Sequence, residues 1–144
     1  MASRMMVAAG ISVVLMFSRA AHAQGSAGAP AISLKGYDVV AYFTDGRPVK
    51  GSMSYAHDWD GARYHFAGAK HRAAFIAEPE RYAPQFSGLC AMGVSVGKRL
   101  EADPSLFKIV DGKLYVFSSA KGRAMAESDP ALLSRSRESW QKLK

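Results

Sequence analysis

The residues best able to do chemistry are few. Cys90 is the single cysteine of the 144-residue chain, and Met92 stands two positions after it. A thiolate is a soft ligand that favours copper(I) or zinc, and a thioether can join it on copper(I) where the segment is extended and both side chains point one way. His57, in the run Tyr55-Ala56-His57-Asp58-Trp59, offers an imidazole to the same ions. Cys90, His57 and Met92 are therefore the candidate metal ligands. Tyr37 and Asp38 are candidates for the surrounding layer, where a carboxylate orients a ligand. Each has a plainer reading. A buried cysteine behaves as a small hydrophobe, a histidine among aromatics as a hydrogen-bonded core residue, Met53 and Met92 as packing, Asp38 as the cap of a turn, and His71 as a solvated side chain. Neither a Cys-x-x-Cys nor a His-x-x-x-His spacing strengthens the metal case.

Other chemistries have less to stand on. The chain contains no glycine-rich phosphate loop, paired-carboxylate motif or nucleotide fingerprint. Its 19 basic residues outnumber 12 acidic ones but are scattered without a long run, which favours a solvated basic surface over a nucleic-acid groove. A thiol-dependent redox enzyme centred on Cys90 needs a base or a helix N-terminus beside the thiol and an accessible pocket, and no Cys, His and Asn or Asp spacing announces one.

The first residues read as a targeting segment. Arg4 supplies a positive start, Met5 to Phe17 is uncharged and apolar, and Ala21-His22-Ala23 has the small-x-small form of a cleavage site. The apolar stretch is shorter than the roughly 20 residues a membrane-spanning helix needs, so no stable span is expected after cleavage. A signal peptide over 1–23, a flexible tether over 24–30 and one domain over 31–144 are expected, in a periplasmic or secreted protein. Loss of Arg4 and Arg19 lowers the net charge from +7 to +5. With one thiol, the exported chain would fold without an internal disulfide.

The elements that must position these residues are legible in part. Tyr55 to Trp59 and Ala62 to Phe66 flank Asp60-Gly61, a dipeptide suited to a two-residue hairpin turn. That turn pairs Trp59 with Ala62, Asp58 with Arg63, His57 with Tyr64, Ala56 with His65 and Tyr55 with Phe66, so His57 and His65 take opposite faces and cannot serve one mononuclear site. A second hairpin runs from Phe107 to Phe117 about Asp111-Gly112, with Phe107, Ile109, Leu114 and Val116 on its core face and Lys108 and Lys113 outside. Ala69 to Glu78 should be a helix that stops at Pro79. Asp129 and Pro130 should start a C-terminal helix whose stripe of Leu133, Trp140 and Leu143 docks on the sheet. The expected fold class is α+β, a small antiparallel sheet from two hairpins covered by short helices. No solenoid-period repeat is visible, although the two hairpins share a grammar.

One longer pattern runs through these elements. Gly36-Tyr37-Asp38-Val39-Val40-Ala41-Tyr42-Phe43, Trp59-Asp60-Gly61 with Tyr64 and Phe66, then Phe75, Pro79, the stretch Arg81 to Ala91, Asp103-Pro104 and Asp111-Gly112-Lys113-Leu114-Tyr115 follow one another in an order that resembles the YHS-domain family of the exported bacterial type. The resemblance covers about residues 32–117. It departs where Val39 replaces a proline, where Leu89 replaces an aromatic residue, and where Phe117-Ser118-Ser119-Ala120 replaces an Asn-Tyr-Asn type of stretch. It implies transition-metal binding, with copper the first candidate and zinc the second. The function expected is thus non-catalytic metal binding through Cys90. The alternative is a metal-free module that binds a periplasmic partner protein or a small ligand.

Overall fold

The computed structural model describes residues 28–144. The expected signal peptide (1–23) and most of the expected tether (24–30) lie outside the described residues. The fold is α+β. Strands β1 (Ala31–Ile32), β2 (Ser52–Trp59) and β3 (Ala62–Phe66) form one sheet in the order β1-β3-β2, with β1 parallel and β2 antiparallel to β3. Strands β4 (Asp103–Val110) and β5 (Lys113–Phe117) form a second, antiparallel sheet. Each hairpin therefore nucleates its own sheet.

Both turns have the backbone their sequence calls for. Asp60 and Gly61 take φ of 48° and 76°, and Asp111 and Gly112 take 51° and 71°, the left-handed pair of a primed turn that matches the twist of the strands. The register follows for Trp59 with Ala62 through Ala56 with His65, but the last expected pair is corrected: Phe66 faces Ser52, not Tyr55, across a β-bulge. The bulge inserts extra residues into β2 and turns it away from the partner.

Six helices fill the rest of the described chain: α1 (Ala41–Thr44), α2 (Ala69–Ala77), α3 (Pro79–Tyr82), α4 (Ala91–Ser95), α5 (Ala120–Ser128) and α6 (Ala131–Leu143). Helix α2 ends before Pro79, as its sequence demands. Asp129 accepts the Ala131 amide at 3.1 Å and so caps α6. Helix α6 lies chiefly on α4, where the buried Ser136 hydroxyl sits 2.8 Å from the Ala91 carbonyl. Its stripe shares a core with the second sheet, with Tyr115 and Phe117 of β5 and Leu106 and Val110 of β4.

Strand β5 separates two cores. Leu114 and Val116 pack with Val39, Val40, Phe66 and Phe75, whereas Tyr115 and Phe117 pack with Phe86, Cys90, Val94 and Leu132. Alternating side chains of a strand point to opposite faces, and here α4, α5 and α6 cover the face expected to be outside. Ile109, expected in the core, is exposed at the tip of the hairpin. Among the described residues no helix is long and apolar enough to cross a membrane.

Candidate functional site

Cys90 is set by a tight turn. Phe86, Ser87 and Gly88 take φ of 58°, 54° and 78°, and a left-handed conformation at two non-glycine residues persists only where the surroundings over-determine it. The turn closes with the Leu89 amide on the Phe86 carbonyl at 3.0 Å, after which the Cys90 amide donates to the Leu100 carbonyl at 2.9 Å and the Cys90 carbonyl accepts from Val94 at 3.0 Å. Cys90 thus stands at the head of α4, 3% exposed, as a free thiol. Its side chain lines a cavity of about 340 Å³ together with Met92, Leu100, Ser119, Gly122 and Met125. A cysteine and two methionines line one mostly apolar space, with Cys90 at its buried end and Met125, 37% exposed, at its open side.

The other expected site residues lie elsewhere. His57 is half-buried on β2, opposite Tyr64, with its ring 6.2 Å edge-on from Phe75. It does not line the Cys90 cavity. His65 is buried and pairs with Ala56, on the opposite face from His57. Tyr37 packs against the first core, with the Lys50 ammonium 5.1 Å over its ring.

Asp38 is fully buried, and its carboxylate is saturated. Oδ1 accepts from the amides of Val40 at 2.9 Å and Ala41 at 3.3 Å; Oδ2 accepts from the Ala67 amide at 2.8 Å and lies 2.7 Å from His71 Nδ1. A carboxylate has about four acceptor positions, so these four partners use it up. Asp38 caps α1 and ties it to the start of α2, and the ligand-like group that it orients is His71, not Cys90. His71, read from sequence as solvated, is corrected to a largely buried side chain, 20% exposed. Because a carboxylate only accepts, the shared proton sits on His71 Nδ1. Nε2 then faces the Thr44 hydroxyl at 3.3 Å. Neither Thr44 nor His71 lines the cavity at Cys90 or the cleft beside Trp59.

That second cleft, about 760 Å³, runs between Trp59 and Trp140 and is lined also by Tyr64, Phe86, Arg99 and Lys113. The Arg99 guanidinium stacks 5.6 Å from the Trp140 ring centroid. Among the described residues, no three of His, Cys, Asp and Glu gather as a metal site would require. A metal reading therefore rests on sulfur. Met125 and Gly122 at the cavity, and His71 beside Asp38, have no local sequence signal as site residues, because their neighbours are distant in sequence.

Comparison of the chain with protein-family models, with curated proteins and with solved structures gives no match.

Proposed function

We propose that the chain is an exported protein of the YHS-domain type that holds copper(I) without catalysing a reaction, with Cys90 as its first ligand and Met92 as its second. One observation carries this reading: the buried, free Cys90 thiol and the Met92 thioether line a single cavity. Soft sulfur donors suit copper(I), whereas a structural zinc site takes four nitrogen, sulfur or carboxylate ligands, which this cavity does not offer. Bound there, copper(I) would be sequestered for storage or delivery to a partner protein in the periplasm. The depth of Cys90 weighs against thiol-redox catalysis, which needs an accessible thiolate.

The test is an anaerobic copper(I) competition titration against a chromogenic chelator, with the chain from Gln24 and its Cys90→Ser variant. Saturable, stoichiometric retention that the substitution removes is the expected result. Failure to compete with the chelator would overturn the reading.

The cleft between Trp59 and Trp140 favours a second reading, a metal-free module that takes a partner or ligand with a planar, anionic group against Arg99 and Lys113. Quenching of tryptophan fluorescence by such a ligand, in a protein that does not retain copper, would put this reading first.

A further inference from the structure

The two halves of the molecule repeat one another. Tyr64-His65-Phe66-Ala67-Gly68-Ala69-Lys70-His71-Arg72-Ala73 and Tyr115-Val116-Phe117-Ser118-Ser119-Ala120-Lys121-Gly122-Arg123-Ala124 align at one constant offset, with Tyr, Phe, Ala, Lys, Arg and Ala shared, and the same offset matches Asp60-Gly61 to Asp111-Gly112 and Pro79 to Pro130. The backbone repeats with them. Leu34, Lys35 and Gly36 take φ of 43°, 53° and 84°, a left-handed turn like that of Phe86, Ser87 and Gly88. Each turn closes at 3.0 Å, Tyr37 amide to Leu34 carbonyl and Leu89 amide to Phe86 carbonyl. The next residue donates to the segment that enters the following strand: Asp38 to Val49 at 2.8 Å, Cys90 to Leu100 at 2.9 Å. Even the bulge recurs. Ser52 faces Phe66 and Ala56 faces His65 in one hairpin; Asp103 faces Phe117 and Phe107 faces Val116 in the other. Helices α2 and α5 then follow, each nine residues long.

The matching turns, one residue further apart than the hairpins, place Cys90 where the first half has Asp38, and the hairpin offset places Gly122 where it has His71. In the first half the buried carboxylate is completed by the imidazole, 2.7 Å away. In the second half the buried group is a thiol and the histidine is a glycine, so the volume of the imidazole is left open as part of the cavity. Two further exchanges occur at this locus. Val40 corresponds to Met92 and Ala74 to Met125, each a side chain without a donor replaced by a thioether that lines the same cavity.

We infer that this cavity is a three-sulfur copper(I) site, formed by the Cys90 thiolate and the Met92 and Met125 thioethers in the space that His71 fills in the other half. The inference rests on the copper(I) reading and adds to it the ligand Met125 and the requirement for Gly122. Binding releases the Cys90 proton to solvent, because a thiol must deprotonate to ligate. The thiolate and the monovalent ion then sum to zero charge, which suits the apolar inner wall around the buried Cys90, although the mouth at Met125 and Lys121 is exposed. A divalent ion leaves one positive charge uncompensated beside Lys121, and burying an unpaired charge is costly.

The experiment compares the protein purified from full-length expression with Cys90→Ser, Met125→Leu and Gly122→Leu, measuring anaerobic copper(I) and zinc competition and the copper K-edge absorption spectrum. A Cβ at Gly122 meets Met92 Cβ and Ser119 Oγ at 3.4 Å, ordinary van der Waals contact, and leucine would occupy the cavity without offering a donor. The expected result is a sulfur-only shell in the parent, one sulfur fewer in Met125→Leu with affinity lower by at least the roughly tenfold that losing even an outer-shell partner costs, loss of retention in Gly122→Leu, and tighter retention of copper(I) than of zinc. Copper retention that Cys90→Ser abolishes but Met125→Leu leaves unchanged in affinity and spectrum overturns this inference and spares the broader reading. A parent protein that retains no copper(I) overturns both. Should Gly122→Leu fail to fold, Met125→Leu decides.

Discussion

Asp38 Oδ2 and His71 Nδ1 lie 2.7 Å apart, with the carboxylate fully buried and the imidazole largely so. Removing either partner is unequal in cost. Asp38→Ala strands the amides of Val40, Ala41 and Ala67 together with the imidazole, and each buried donor left without a partner costs about 1–3 kcal/mol, so the total exceeds that of a single lost bond. His71→Ala leaves the carboxylate its three amide donors, so about 1–3 kcal/mol is expected. Urea unfolding at neutral pH measures both; equal midpoints for the two variants would refute the ordering.

Strand β5 faces both cores, so the halves should unfold together. Leu114→Ala empties part of the first core and should cost about 2–5 kcal/mol. Trp59 packs against the first core and Trp140 against the second. Fluorescence of single-tryptophan variants should therefore give one shared unfolding midpoint, and Leu114→Ala should move both probes equally. Separate midpoints would mean that β5 does not couple the cores.

Local chemistry made the two hairpins legible, because Asp60-Gly61 and Asp111-Gly112 dictate left-handed turns whatever surrounds them. Pro79 and Asp129 punctuate helices for equally local reasons. The bulge in β2 was not legible: Tyr55 and Phe66 make as good a cross-strand pair on paper as Ser52 and Phe66 do in the fold. Nor was the buried state of Tyr115 and Phe117, which depends on helices from outside the hairpin covering its second face. Cys90 and Met92 stand close enough in sequence to suggest a shared site. Met125 joins them only because α5 folds back on α4, and the one sequence signal for it was the recurrence of Tyr-x-Phe-x-x-Ala-Lys-x-Arg-Ala, in which His71 and Gly122 hold the same place.

Alkaline pH should weaken the fold through Tyr42. Its hydroxyl donates to the Pro104 carbonyl at 2.6 Å, and burial pushes its ionisation far above the ordinary tyrosine range. The unfolded chain loses this proton first, from about pH 10. Above that value the unfolded state binds fewer protons than the folded state, so stability falls as pH rises toward the elevated folded value. Tyr42→Phe should lose about 0.5–1.5 kcal/mol at neutral pH with its hydrogen bond, yet decline less than the parent between pH 9 and 11. Parallel declines in urea midpoint would show that Tyr42 does not contribute this dependence.

The reactivity of Cys90 reports how deeply the thiol is held. At 3% exposure the thiol cannot meet a bulky disulfide reagent without local opening. Helix α6 restrains that opening, because the Ser136 hydroxyl holds the Ala91 carbonyl at 2.8 Å, one residue beyond Cys90. Modification of the native protein should therefore run at least about a hundredfold slower than in the urea-unfolded chain, an opening free energy of about 2.8 kcal/mol. Ser136→Ala should speed native modification while leaving the unfolded rate alone, since the substitution acts on the opening and not on the thiol. Copper(I) should slow it further by occupying the nucleophile itself. A native rate equal to the unfolded one would mean that the Cys90 thiol itself is freely reached in solution, and the charge argument for a monovalent ion, which depends on a buried thiolate, would fall with it.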